Sequence, residues 1–436
     1  MVHGAGLFGI AQGAGGAIKV SELSERFFDK QLPNGLKLLG QQMEQVSSAA
    51  MTLVVPAGAA HDPAGLQGAA SIVCEWSLRG AGERNTRQLN DALDCLGCQH
   101  GETVRSDHII YSAAQLSRNL DAVLELYADI LRRPRMEDET FEPCRALVER
   151  DLESLEDEPA HKCNLMLHER FYPRPLGASG YGTCESLADA TPAAMREQFR
   201  RRFCPAGTIL AVAGDIDWPA ICDRAEQLLG DWQSVATAAP AILPPLGGIE
   251  HVAKESAQAH IGLAYASITI SHEQYYAARL AGMVLSGGAA ARLHTELREK
   301  RALVYHVSAS YHSLKDHAGV FAYAGTRPEL AQQTFDMTVG EIRRLADGIE
   351  PDEVTRARTQ LKSALIMQGE STSARANAMA SDFYHLGRVR GLRELSDAID
   401  ATKADDILDH VRQHPARDFT VLVIGPKPVD TGILEQ

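Results

Sequence analysis

Two residues near position 300 have side chains that could stabilise a developing negative charge. Arg298 carries a permanent positive charge on a planar fork of donors, and Tyr305 carries a phenolic hydroxyl donor. On one unbroken helix they would lie about 10 Å apart along the axis. The surrounding stretch, LSGGAAARLHTELREKRALVYHVSAS from Leu285 to Ser310, does not read as one helix. A small-residue turn, Ser286-Gly287-Gly288, opens an amphipathic helix that runs through Lys300. From Leu303 to Val307 apolar and polar residues alternate, which predicts a strand. A break between helix and strand can bring the guanidinium and the phenol to one surface. Taken alone, the pair reads as a surface arginine and a half-buried strand tyrosine; the rest of the chain changes that weighting.

Other candidates carry less. Cys95 and Cys98 form a CxxC with no second pair and no histidine set beside it, so packing thiols at a helix end are expected. All eight cysteines lie between Cys74 and Cys222, which is no disulfide framework and fits reduced thiols in a cytosolic compartment. His161 with Cys163, His294, His306, His312 and His317 fall on different predicted elements. None has the i, i+4 spacing with an acid that a zinc-binding helix needs, and each is expected to be a surface or hydrogen-bonded histidine. Ser286-Gly287-Gly288 is a turn and not a phosphate-binding loop.

The elements that must position these residues follow from composition and pattern. With 436 residues the chain exceeds one ordinary core. Its 45% apolar and 23% charged content is that of a soluble globular protein. A formal charge of −14 argues against nucleic-acid binding. No apolar run of about 20 residues exists to span a membrane. Residues 1–25 read as a flexible tail, with a leader as the alternative. Strand and helix patterns fill 26–232, and an Ala/Pro/Gly-rich linker, QSVATAAPAILPPLGG, spans 233–248. The order of elements then repeats over 249–436. His108–Ala128 parallels Gly319–Phe335, and the strand ending at Gly214 parallels the one ending at Gly425. This predicts an α+β protein of two homologous halves, each a mainly antiparallel sheet covered by helices.

Five stretches, in order, carry a family resemblance: LPNGLKLL (Leu32–Leu39), GLQGAASIVCEWSLRGAGERNTRQL (Gly65–Leu89), RFYPRPLGASGYGTCESL (Arg170–Leu187), ILAVAGDID (Ile209–Asp217) and ELREKRALVYHVSA (Glu296–Ala309). Together they resemble the insulinase and mitochondrial processing peptidase family of zinc metallopeptidases, from about residue 30 to 428. The resemblance implies two halves enclosing a chamber for peptides. Active members carry an inverted zinc motif, H-x-x-E-H, with a distant carboxylate ligand. Aligned on Arg79-Gly80, that motif falls on Ser71, Cys74 and Glu75, and the distant carboxylate falls on Asp151. Both imidazoles and the general base are missing. Gly101-Glu102 stands where active members show Asn-Ala on the strand edge that aligns substrate.

The retained part is the second-half stretch. Arg298 and Tyr305 match an Arg/Tyr pair that, in resembling enzymes, faces the substrate carbonyl. Some bacterial members divide the labour between a zinc-bearing subunit and a sister that lacks zinc ligands but supplies this pair. The resemblance therefore implies a chain that binds no zinc itself and is inactive alone. It would join a homologous zinc-bearing peptidase subunit as a heterodimer in the cytoplasm and act on peptide, not on nucleic acid or membrane. An exported form is left open. The alternatives are a structural, core-like assembly subunit and a peptide-binding protein that does not cut.

Overall fold

The computed structural model describes residues 25–233, 235 and 239–435. The expected tail over 1–25 therefore lies, except for Glu25, outside the described residues, as does part of 233–248. Among the described residues, no helix is long and apolar enough to cross a membrane.

The first sheet is built from β1 (Arg26–Gln31), β2 (Lys37–Gln42) and β3 (Ser48–Val55), then β6 (Gln99–Val104), β7 (Ile109–Leu116) and β8 (Ile209–Gly214). A short ribbon, β4 (Gly80–Ala81) with β5 (Arg84–Asn85), lies apart from it. The strand order is β1-β2-β8-β3-β7-β6, antiparallel except for the parallel β2–β8 pair. The second sheet holds β9 (Ile249–Ala253), β10 (Ala259–Ser267), β11 (Val304–Ser313), β12 (Ala318–Thr326) and β13 (Thr420–Gly425). Its order is β11-β12-β10-β13-β9, with β9–β13 the parallel pair. The run β2-β8-β3-β7-β6 and the run β9-β13-β10-β12-β11 have the same topology, so the duplication legible in the sequence is a duplication of sheets.

Both central strands, β8 (ILAVAG) and β13 (TVLVIG), are buried throughout. A strand apolar on both faces needs cover on both. On one face of the first sheet lie helices of the same half: α1 (Ala69–Ser77), α2 (Thr86–Cys95), α3 (Leu120–Arg132), α7 (Pro192–Arg202) and α8 (Trp218–Leu229). Between α3 and α7 come α4 (Asp138–Ser154), α5 (Pro159–Phe171) and the short α6 (Cys184–Ala188). Pro159 starts α5 at its first turn, where a missing N–H costs nothing, after a turn that ends α4. The second half contains α9 (Tyr275–Ser286), α10 (Ala331–Arg344), α11 (Pro351–Gly369), α12 (Thr372–Leu386), α13 (Leu392–Ala401) and α14 (Ala404–Gln413).

The other face of each sheet is covered by a helix from the opposite half. Ala376, Met379 and Ala380 of α12 pack on Leu39, Val54, Ile209 and Ala211 of the first sheet. Cys163 and Leu167 of α5, with Tyr172, pack on Ala264, Phe321, Leu422 and Ile424 of the second. Close approach depends on small residues: a Cβ on Gly262 would meet Cys163 Sγ at 3.1 Å and Leu167 Cδ2 at 3.2 Å. Each large apolar side chain buried here contributes about 1.5–3 kcal/mol. A buried Arg375 strengthens the crossing, donating to Gln41 Oε1 on β2 at 2.7 Å and to Glu25 Oε1 at 3.0 Å.

Candidate functional site

Helix α1 starts from Gly68, whose φ of 91° is left-handed and whose missing side chain cannot cap. Asp62 caps instead, from upstream. Its carboxylate accepts the Gly68 and Ala70 N–H groups, both at 2.8 Å. Burial pushes this carboxyl up to about 7 against the pull of those donors. Asp62 was not singled out in the sequence, because a cap six residues ahead of the helix leaves no local pattern.

On α1 the three motif positions point to different partners. Ser71 Oγ donates to the Gly180 carbonyl at 2.7 Å. The loop packs so tightly there that a Cβ on Gly180 would meet Ser71 Oγ at 2.8 Å. Cys74 is 2% exposed and faces the core. Burial pushes its thiol far up, and the Tyr111 hydroxyl beside it offsets only part of that. Glu75 is held by Arg79, one turn along, at 3.1 Å. Asp151 lies exposed in the last turn of α4. Its charge reaches Tyr181, whose phenol is pushed up by burial first and by Asp151 second.

These four residues do not fit a zinc ion. The hydroxyl is spent on a carbonyl, the thiol is kept protonated, and the one acid on α1 already has a cation. Among the described residues, no group of three or more His, Cys, Asp or Glu is placed to hold a metal. Arg79 neutralises the Glu75 charge. Gly101 and Glu102 lie on β6, an edge strand, opposite Ser112 and Tyr111. The Glu102 carboxyl is pushed up by burial and then by the Glu75 charge.

The Arg298/Tyr305 stretch takes a specific shape. After α9 and the turn at Gly287-Gly288, the chain is helical again, with a wide π turn over His294–Glu299. Ala302 then takes a left-handed conformation, φ 50°. Its N–H donates to the Arg298 carbonyl at 3.0 Å, and the Leu303 N–H donates to the Leu297 carbonyl at 2.8 Å. These two bonds close the helix and launch β11. Strand β11 slips in register against β12 between Val304 and His306, so Tyr305 is the bulged residue. A bulge inserts one extra residue and interrupts strict alternation, so Tyr305 and His306 are both exposed. Tyr305 is accordingly 56% exposed, while Val304 and Val307 on either side are buried. Arg298 is exposed as well.

Charge pairing singles Arg298 out. Arg292 grips Glu353 with two bonds of 2.7 and 2.6 Å. Lys300 and Arg301 both hold Glu296, at 2.7 and 2.6 Å. Among the described residues, neither the Arg298 guanidinium nor the Tyr305 hydroxyl has a hydrogen-bond or ion-pair partner.

A cavity of about 640 Å³ lies between the halves, walled by β6, the loop at Gly177–Tyr181, α5, the end of β11 and the end of α12. Ser71 reaches its wall through Gly180. Arg298 and Tyr305 do not line it: His312–Leu314, at the far end of β11, do. Tyr305 and His312 are seven strand positions apart, roughly 23 Å. The cavity is rich in histidines, two of which the sequence reading named. His312 is hydrogen-bonded as expected, with Nδ1 2.7 Å from the Tyr172 hydroxyl. His161 stands 3.9 Å from Glu158. His108, His168 and His385 were not anticipated, because they come from three separate elements. His168 stacks on Phe321 at 3.9 Å, and burial lowers its pKa to about 3. Burial also lowers His312, to about 4. Tyr384 of α12 donates to Asp107, beside His108.

Comparison with known proteins finds one peptidase family over two successive segments of the chain. Residues 38–183 match the family described as insulinase (peptidase family M16), and residues 189–361 match the peptidase M16 inactive domain. A protein of Rickettsia felis described as an uncharacterized zinc protease is 25% identical over 411 residues, covering 93% of this chain and 98% of that relative. The uncharacterized zinc protease YmxG of Bacillus subtilis is 24% identical over 399 residues, covering 90% and 97%. In fold, the chain is similar to a crystal structure from Pseudomonas fluorescens described as a peptidase M16 inactive domain, with a TM-score of 0.83 and 20% identity over 93% of this chain and 99% of that one. It is also similar to a protease from Helicobacter pylori, with a TM-score of 0.81 and 18% identity over 93% and 100%. The chain belongs to the insulinase family of peptidases, peptidase family M16.

Proposed function

We propose that this chain is the complementing subunit of a heterodimeric peptidase. It pairs with a homologous zinc-bearing subunit and presents Arg298 and Tyr305 to the peptide being cleaved there. The observation that carries the reading is the contrast within one chain. The motif positions on α1 are occupied by a bonded hydroxyl, a buried thiol and an ion-paired acid. The guanidinium in the π turn and the phenol beyond it remain exposed, with no partner among the described residues. Two such donors suit the oxyanion that develops on a peptide carbonyl during hydrolysis. Their distance along β11 from the cavity between the halves favours action on another subunit over action inside this one.

The test is reconstitution. Purified alone, the chain should hold well under one zinc per molecule and leave peptides intact. Mixed with a zinc-bearing family member from the same genome, it should form a stable complex that cleaves. Stoichiometric zinc in the isolated chain, with peptidase activity lost on chelation, would overturn the reading.

A further inference from the structure

A second cavity, of about 280 Å³, lies wholly within the second half and away from Arg298 and Tyr305. Four helices wall it: α9, α11, α12 and α13. Most of its lining is apolar, with Leu361 and Leu365 of α11, Met379 of α12, and Leu392, Leu395 and Ile399 of α13. Three arginines also reach it, and two are fully engaged. Arg390 donates to Asp382 at 3.1 and 2.6 Å and to the Tyr276 hydroxyl at 3.2 Å. Arg375 is taken by Gln41 and Glu25. The third, Arg279 on α9, lies with its guanidinium 5.8 Å from the ring centre of Tyr311. Among the described residues it has no hydrogen-bond or ion-pair partner.

Three guanidiniums against the carboxylates of Asp382 and Glu25 leave one positive charge, and it sits on Arg279. We infer that this cavity binds a monocarboxylate with a short unbranched apolar tail. Arg279 takes the carboxylate on its two-pronged fork, and the leucines of α11 and α13 cover the tail. A dianion such as a phosphate monoester fits less well, because its second charge has no cation to meet and faces Asp382. The volume is at the lower end for small-molecule sites and suits about ten non-hydrogen atoms. Octanoate has that size.

Calorimetric titration of the full chain with octanoate, and with octanol as the uncharged match, tests the inference. Octanoate should bind saturably, one per chain. Arg279→Gln should weaken octanoate at least tenfold and leave octanol unchanged. Ala378→Leu, which fills the cavity from α12, should abolish octanoate binding without lowering the melting midpoint. Absence of saturable octanoate binding, or equal octanoate affinity in the Arg279→Gln chain and the unmodified one, overturns the inference. So does octanol binding as tightly as octanoate.

Discussion

Arg292, Lys300 and Arg301 each hold a carboxylate and Arg298 holds none, although all four fall within ten residues. An exposed guanidinium is well solvated and costs the fold nothing, so stability does not require Arg298 to be there. The reverse holds at Cys74, where the side chain serves packing and not chemistry. A thiol kept protonated by burial is a poor nucleophile and a poor metal ligand. This predicts the outcome of thiol labelling under native conditions. Of eight free cysteines, Cys95 and Cys184 are exposed and the other six are buried. Brief treatment with iodoacetamide, read by peptide mass spectrometry, should modify Cys95 and Cys184 and spare Cys74. Fast modification of Cys74 would mean that α1 is open to solvent. The residue types at the motif positions were legible in the sequence; what each bonds to was not, since Gly180 lies more than a hundred residues from Ser71.

At the scale of elements, helix propensity and alternation locate the break at Leu303 but not its geometry. The capping box of α2, with Asn85 and Gln88 bonding reciprocally at 3.0 Å, is the kind of local signal that sequence carries well. The bulge at Tyr305 is not, because it is a relation between β11 and β12. The turn at Ala302 carries a cost that can be measured. An alanine at φ 50° is strained relative to glycine by about 1 kcal/mol. Ala302 is exposed, so Ala302→Gly removes no packing. The variant should be as stable or up to about 1 kcal/mol more stable by denaturant unfolding. A loss of more than 1 kcal/mol would show that the left-handed turn is not what closes this helix.

At the scale of the whole molecule, no local pattern tells that α5 and α12 each cover the sheet of the opposite half. That exchange places His168 and His312 at the crossing, 4.8 Å apart and close to Phe321. Among the described residues His168 meets no carboxylate there, and His312 opposes its protonation. His312 faces Arg105 and His385, which oppose its protonation, and Asp107, which favours it. Both pKa values are lowered in the folded chain, to about 3 and about 4, from an ordinary value near 6.5. The unfolded chain therefore binds these protons first. The contribution of these two histidines is full above about pH 6.5 and falls as the pH drops towards 4, by up to about 1.4 kcal/mol per pH unit for each. Asp62 offsets this in part, since its raised pKa favours the folded chain as the pH falls below about 7. Melting midpoints should hold from pH 8 to 7 and decline from 6.5 to 4.5. His168→Phe, which keeps the stack on Phe321, should flatten that decline. An unchanged slope would place the titrating groups elsewhere.

The role proposed for Arg298 is exercised in a complex, and kcat measures it most directly. The chain carrying Arg298→Ala should assemble with the zinc-bearing subunit as the unmodified chain does, and the complex should hold the same zinc. Its kcat should fall by about 100- to 1,000-fold, as for the loss of one oxyanion donor. Arg298→Lys should recover little, because a point charge does not replace the planar fork. A complex that assembles normally with Arg298→Ala and turns over peptide at the unmodified rate would contradict the account.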